Sequence, residues 1–120
     1  GDDDAPDGLL LLGDEVEEGN VEFKWSLCAP NPERFEQLVS QLKWRLGEGQ
    51  GESIYEIGVE DNGFPRGLAP DDLERSVDTL RRMAKALGAE VSLLAERPGK
   101  DGKCRELLVR ELRTDDYIDV

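Results

Sequence analysis

The stretch PDDLERSVDTLRRMAKALG, residues 70–88, carries the clearest structural signal in this chain of 120 residues. Its apolar side chains recur at alternating spacings of four and three residues, which is the period of an amphipathic helix. These side chains are Leu73, Val77, Leu80, Ala84 and Leu87. Two acids, Asp71 and Asp72, stand at the positive end of the helix dipole, and Gly88 ends the segment. The stretch therefore predicts a helix with one buried face.

A second helix is predicted upstream of this one. Asn31 is a good N-cap residue, and Pro32 fits the first helical position. Gly47 or Gly49 ends the helix. Between these limits the apolar residues again recur at helical spacing and predict a buried stripe. They are Phe35, Leu38, Val39, Leu42 and Leu46.

Apolar and polar residues alternate with a period of two in residues 21–27 and 91–95, which indicates strands. Strands are predicted at residues 21–27, 54–59, 91–95 and 107–112, with a turn at 98–102 joining the last two. In the first strand the apolar residues would share one face. They are Val21, Phe23, Trp25 and Leu27.

One further strand is predicted after the turn signal Asp61-Asn62-Gly63. Asn-Gly is a strong hairpin signal because both residues tolerate positive φ. The return strand, near residues 64–68, contains Pro65 and should therefore be short or lie at a sheet edge. The predicted order is β-α-β-β-α-β-β. It indicates an α+β fold, ferredoxin-like or related, with two helices packed on one face of a mostly antiparallel sheet.

Charge divides the chain into three regions. The formal net charge is −13, of which residues 1–30 contribute −8 and residues 114–120 contribute −3. Residues 1–20 predict a disordered acidic tail, and residues 21–114 predict the α+β domain. An alternative for the tail is a docking segment, in which Leu10 and Leu11 of the run Leu9–Leu12 fill a groove on a partner.

The residue types argue against catalysis. The chain has no histidine, and its two cysteines, Cys28 and Cys104, form no metal-binding pattern. Both are expected to be reduced thiols of a cytoplasmic protein. No apolar run is long enough for a signal peptide core or a membrane span, so no membrane partner is expected. We predict no catalytic, cofactor-binding or metal-binding residue in the chain.

The glycines in GEGQG, residues 47–51, superficially resemble a phosphate-binding loop. They follow a predicted helix and precede a predicted strand, whereas a phosphate loop runs from strand to helix. The tripeptide Gly-Lys-Ser/Thr of such loops is also absent from the sequence. The chain is therefore predicted to lack a P-loop and not to be an enzyme by itself.

Two kinds of binding surface remain open. Trp44 falls off the apolar stripe of its helix, which fits either an exposed ring or half-buried packing. An exposed Trp beside Arg suits a protein interface or base stacking, which makes Lys43, Trp44 and Arg45 a candidate interface. Basic residues on the second helix and in the last hairpin form a candidate RNA-facing or ribosome-facing set. They are Arg75, Arg81, Arg82, Lys85, Arg105 and Arg110. Solvated faces and ion pairs also explain such clusters.

Several ordered motifs resemble the region ahead of the G domain in the GTP-binding protein 1 and 2 family, which comprises translational GTPases akin to elongation factor 1-alpha. The motifs are EGQGESIYEIGVEDNG (48–63), Gly67-Leu68, FEQLV (35–39), KWRL (43–46), Arg82-Met83-Ala84 and LLVR (107–110). The opening EEGNVEFK, residues 17–24, leans toward the protein 2 branch.

This resemblance implies an accessory domain whose parent protein binds GTP and magnesium. Residues 115–120 would begin the connection into the GTPase domain, so none of the family's GTP-binding residues has a matching position here. The expected partner is the protein's own GTPase domain or another protein, with the ribosome or RNA as the alternative. A shorter likeness of the Gly-Val-Glu-Asp-Asn-Gly motif, residues 58–63, to Schlafen AlbA-like domains supports that alternative.

Overall fold

The order of elements along the chain is β-α-β-α-β-β. A computed structural model describes residues 19–112. The strands are β1 (Val21–Lys24), β2 (Glu52–Ile57), β3 (Ala89–Pro98) and β4 (Lys103–Glu111). The helices are α1 (Pro32–Glu48) and α2 (Pro70–Ala86). Most of the predicted acidic tail and the predicted connection at 115–120 lie outside the described residues.

The four strands form one mixed sheet in the order β1-β2-β4-β3. Helix α1 connects β1 to β2, which pair in parallel. Strand β4 lies between β2 and β3 and is antiparallel to both. The predicted α+β class with a mostly antiparallel sheet is therefore confirmed.

Both helices pack on the same face of the sheet, as predicted. One core cluster joins α1, α2 and the inward side chains of β2 and β4. Its largest fully buried members include Leu38, Leu42, Leu46, Tyr55, Ile57, Val77, Leu80, Met83, Leu107 and Val109. Neither described helix is long and apolar enough to cross a membrane.

The predicted helix boundaries are also confirmed. The side-chain oxygen of Asn31 accepts a hydrogen bond of 2.7 Å from the backbone N–H of Arg34, which satisfies one of the unpaired donors of the first turn. Helix α2 ends at Ala86 with Leu87 as its C-cap, and Gly88 follows with φ of 69°. Glycine suits this left-handed conformation, which terminates the helix.

The predicted return strand after Asn62-Gly63 is wrong. Strand β2 already has β1 on one edge and β4 on the other, so no edge remains for a hairpin partner. Residues 64–68 instead run to β4, where Leu68 and Lys103 form a single isolated bridge. The sheet consequently lacks the split β-α-β arrangement of ferredoxin-like folds, because β1 and β2 pair directly.

The prediction that the four apolar residues of 21–27 share one strand face is also wrong. These residues are Val21, Phe23, Trp25 and Leu27. Strand β1 ends at Lys24, because the N–H of Gly58 turns toward the carbonyls of Lys24 and Trp25. Beyond this point the backbone crosses under α2, where the N–H of Leu27 donates to the hydroxyl of Ser76 at 3.0 Å. Phe23 lies in a separate small cluster on the other side of the sheet, and Leu27 joins the main core.

Candidate protein-binding surface around Trp44

Trp44 lies on the outer face of α1 and is 55% exposed. Leu42 and Leu46, two positions before and after it, point to the other side of the helix and are buried in the core. The amphipathic stripe of α1 therefore turns Trp44 outward, as its position off that stripe indicates. Lys43 is exposed beside it.

Arg45 supports the Trp44 ring from below. The guanidinium carbon of Arg45 lies 4.9 Å from the centroid of the Trp44 ring, within the range of a cation–π contact. Arg45 also donates 2.6 Å to the carboxylate of Glu22 and 2.7 Å to the carbonyl of Gly19. Arg45 is thus half-buried and joins α1 to β1, instead of acting as a free surface cation.

The arrangement holds an exposed aromatic ring on a fixed base. Glu22 is only 3% exposed, and its second carboxylate oxygen lies 3.5 Å from Lys24. The Arg45 guanidinium therefore loses little additional freedom when something covers Trp44. Binding to a ring that is already held avoids part of the entropic cost of ordering an interface. Exposed Trp and Arg residues are also the types that dominate binding energy at protein interfaces.

Tyr55 lies in the core near the same ion pair. Its hydroxyl is buried and has no hydrogen-bond partner among the described residues. Burial, followed by the nearby charge of Glu22, raises the pKa of Tyr55 above its usual range, while Arg45 acts in the opposite direction. An unsatisfied buried hydroxyl costs free energy without a compensating hydrogen bond.

We expect Tyr55→Phe to leave the free energy of unfolding unchanged or to raise it by about 1 kcal/mol, because the substitution removes the unsatisfied hydroxyl and keeps the ring. Urea unfolding measures this change. Tyr55→Leu is the control and should destabilise the domain, since it removes the ring from the core. A loss of more than about 1 kcal/mol for Tyr55→Phe would contradict the assignment of the hydroxyl as unsatisfied.

The candidate RNA-facing residues of α2 lie on its solvent side. Arg75 pairs with Asp72 at 3.7 Å, and Arg82 stacks over the ring of Phe35 at 4.8 Å. Arg81 and Lys85 are exposed and have no ion-pair partner within residues 19–112. Asp71 and Asp72 lie in the first turn of α2 and Lys85 lies in its last turn, and this placement also complements the helix dipole.

Of the other two candidate residues, Arg105 lies beside α2 and Arg110 lies on the opposite face of the sheet. Arg105 is held by Glu74 of α2 at 2.8 Å and by Glu96 at 2.9 Å. Arg110 donates to Glu90 at 3.1 Å. Leu107 and Val109 point to the helices, and side chains alternate along β4, so Arg105 faces the helices and Arg110 faces the opposite side.

The remaining residues singled out from the sequence are readily placed. Leu10 and Leu11 lie outside the described residues. Residues 47–51 form the last two positions of α1 and its connection to β2. Cys28 and Cys104 are both free thiols, and burial raises the pKa of Cys104 to about 11. Within residues 19–112 no group of three or more His, Cys, Asp or Glu side chains is arranged to hold a metal ion.

The sequence analysis did not predict a pair of carboxyl groups on the face of the sheet that points away from the helices. Glu56 of β2 lies opposite Glu106 of β4 and is only 6% exposed. Burial, then the charge of Glu106 and a hydrogen bond to it, raise the pKa of Glu56 to about 7. Arg97 donates to Glu106 at 3.0 Å and partly offsets the repulsion.

Comparison with known proteins gives matches at the level of sequence. No family model matches the chain, and no solved structure gives a significant match. The chain is 47% identical over 106 residues to GTP-binding protein 2 of Homo sapiens, covering 84% of the chain and 18% of that protein. The Mus musculus protein of the same name matches with the same identity and coverage. GTP-binding protein 1 of Xenopus laevis is 36% identical over 124 aligned residues, covering 96% of the chain and 19% of that protein. The chain thus spans less than a fifth of these relatives.

Proposed function

Because this chain belongs to the family of GTP-binding proteins 1 and 2, with higher identity to protein 2, we propose that it is a non-catalytic N-terminal accessory domain of a translational GTPase. It serves there as a protein-interaction or regulatory module, in translation or in the handling of stalled ribosomes in the cytoplasm. The parent protein supplies the binding of GTP and magnesium.

The observation that carries this proposal is the anchored, exposed Trp44. Its ring rests on Arg45, which Glu22 and Gly19 hold in place. This geometry supports binding to another protein surface, either the GTPase domain of the parent or a separate partner. The sequence supports the non-catalytic part, because it lacks the Gly-Lys-Ser/Thr tripeptide of a P-loop.

We expect Trp44→Ala to weaken binding to the GTPase domain of the parent protein by about tenfold or more, since truncation removes the anchor at the centre of the interface. Isothermal titration calorimetry with that domain, produced separately, measures the change. Arg81→Ala is a matched control, because Arg81 is likewise exposed and lies on the other helix. Equal affinities for the wild type and Trp44→Ala would count against Trp44 as the anchor.

The non-catalytic assignment has its own test. A fluorescent GTP analogue is titrated into the 120-residue chain and, in parallel, into the parent protein. We expect binding only by the parent protein. Specific binding by the short chain would overturn the assignment and would redirect attention to the glycines at 47–51 or to the basic end of α2.

A second candidate function is supported by Arg81 and Lys85. These two cations lie one turn apart on the exposed side of α2 and have no ion-pair partner within residues 19–112. Such a pair suits contacts to the phosphates of RNA or of the ribosome, and it predicts binding that weakens as salt rises. RNA binding that is lost in Arg81→Glu, with Trp44→Ala unaffected, would favour this second function over the first.

A further inference from the structure

Strand β3 is a long edge strand with an unusual apolar centre. It runs for 10 residues and, within residues 19–112, has a neighbouring strand on one side only. Leu93 and Leu94 at its middle are 54% and 50% exposed. An edge of this length presents unpaired backbone groups to any incoming strand, and natural proteins usually protect such an edge. Two half-exposed leucines in its centre favour coverage by another strand.

A β-bulge in β3 places an acidic and a basic residue at equal distances on either side of Leu93. Leu93 lies opposite Leu107 and Ala95 lies opposite Glu106, so Leu94 is an additional residue without its own partner on β4. When this additional residue is skipped, Glu90 lies three positions before Leu93, and Arg97 lies three positions after it. The bulge also shifts the alternation, so that Glu90 and Arg97 fall on the same face of the sheet, away from the helices.

This arrangement is self-complementary in charge. If two β3 strands pair antiparallel about a two-fold axis at Leu93, Glu90 of each copy lies opposite Arg97 of the other. In the same register, each residue pairs with a residue of the other copy that lies on the same side of the sheet. Residues 91 and 96 are opposite each other and both face the helices, and residues 92 and 95 are opposite each other and both face away. Opposite charges that are directly opposed across two strands stabilise their pairing. The ion pairs from Glu90 to Arg110 and from Arg97 to Glu106 would extend across the junction.

We propose that the β3 edge is the binding surface for a second copy of this chain. The two copies pair their β3 strands antiparallel, with Leu93 at the two-fold axis, and form one continuous sheet of eight strands. All four helices then lie on one face of that sheet. A symmetric contact of this kind is self-limiting, because each copy has only one β3 edge. Trp44, on the outer face of α1, remains available to a different partner.

The test is a pair of charge-reversal variants that should fail alone and succeed together. Glu90→Arg places Arg opposite Arg97 twice in a symmetric dimer, and Arg97→Glu places Glu opposite Glu90 twice. Each variant alone is expected to raise the dissociation constant of the dimer by about tenfold or more. In an equimolar mixture, the heterodimer has an opposite-charge pair at both positions and should recover the wild-type association.

Sedimentation velocity over a concentration series measures the outcome. The wild-type chain is expected to reach twice the mass of 13.4 kDa. Trp44→Ala is the control and should dimerise like the wild type, which separates this surface from the one around Trp44. Circular dichroism checks that both charge variants fold. A wild-type chain that remains monomeric, or a mixture that does not regain the mass of the dimer, would overturn the proposal.

Discussion

Replacing Arg45 by alanine is expected to lower the free energy of unfolding by about 3 to 5 kcal/mol, because it leaves the buried carboxylate of Glu22 without its partner. Glu22 is 3% exposed and lies 2.6 Å from the Arg45 guanidinium. Lys24 remains as an ion-pair partner of Glu22 at 3.5 Å, but it does not replace the short hydrogen bond that Arg45 donates to the other carboxylate oxygen. The substitution also removes the guanidinium that links α1 to the Gly19 carbonyl. Urea unfolding of both proteins measures the loss.

Two companion variants show whether the loss comes from the unpaired charge. Lys43→Ala, at an exposed position of the same helix, should change stability by less than about 0.5 kcal/mol. The double variant Glu22→Leu/Arg45→Met removes both charges and keeps similar volumes, and it should recover most of the stability lost in Arg45→Ala. A loss in Arg45→Ala no larger than that in Lys43→Ala would contradict the role of the ion pair.

The elements that were predictable from sequence are those whose signals are local. The spacing of Leu73, Val77 and Leu80 defines the buried face of α2 without reference to the rest of the chain. The N-cap at Asn31 also depends only on neighbouring residues, since its side chain bonds to an N–H three positions away. The position of Trp44 off the apolar stripe of α1 was also predictable, whereas its exposure of 55% was not distinguished from half-buried packing.

The features that the sequence did not reveal depend on contacts between distant residues. The return strand predicted near residues 64–68 does not form, because β4, far along the chain, occupies the second edge of β2. The roles of Glu22 and Arg45 were missed because their contact spans 23 positions and joins a strand to a helix. The candidate RNA-facing set illustrates the same limit, since only the topology shows that Arg105 and Arg110 lie on opposite faces of the sheet.

The pair of Glu56 and Glu106 makes the stability of the domain depend on pH. The pKa of Glu56 is raised from 4.5 to about 7 in the folded chain, by burial first and by Glu106 second. Between these two values the folded state binds more protons than the unfolded state, so stability falls as pH rises. The stabilising contribution of the protonated carboxyl is therefore complete below about pH 4.5 and lost as pH passes through about 7.

Glu56→Gln is expected to raise the free energy of unfolding by about 2 to 3 kcal/mol near pH 8 and to change it little near pH 4.5, because glutamine reproduces the neutral carboxyl at every pH. Urea unfolding at the two pH values measures both effects. Glu52→Gln is the matched control for the substitution itself, since Glu52 is an exposed residue of the same strand. The assignment of a protonated Glu56 beside Glu106 is contradicted if Glu56→Gln stabilises the domain equally at both pH values, or destabilises it near pH 8.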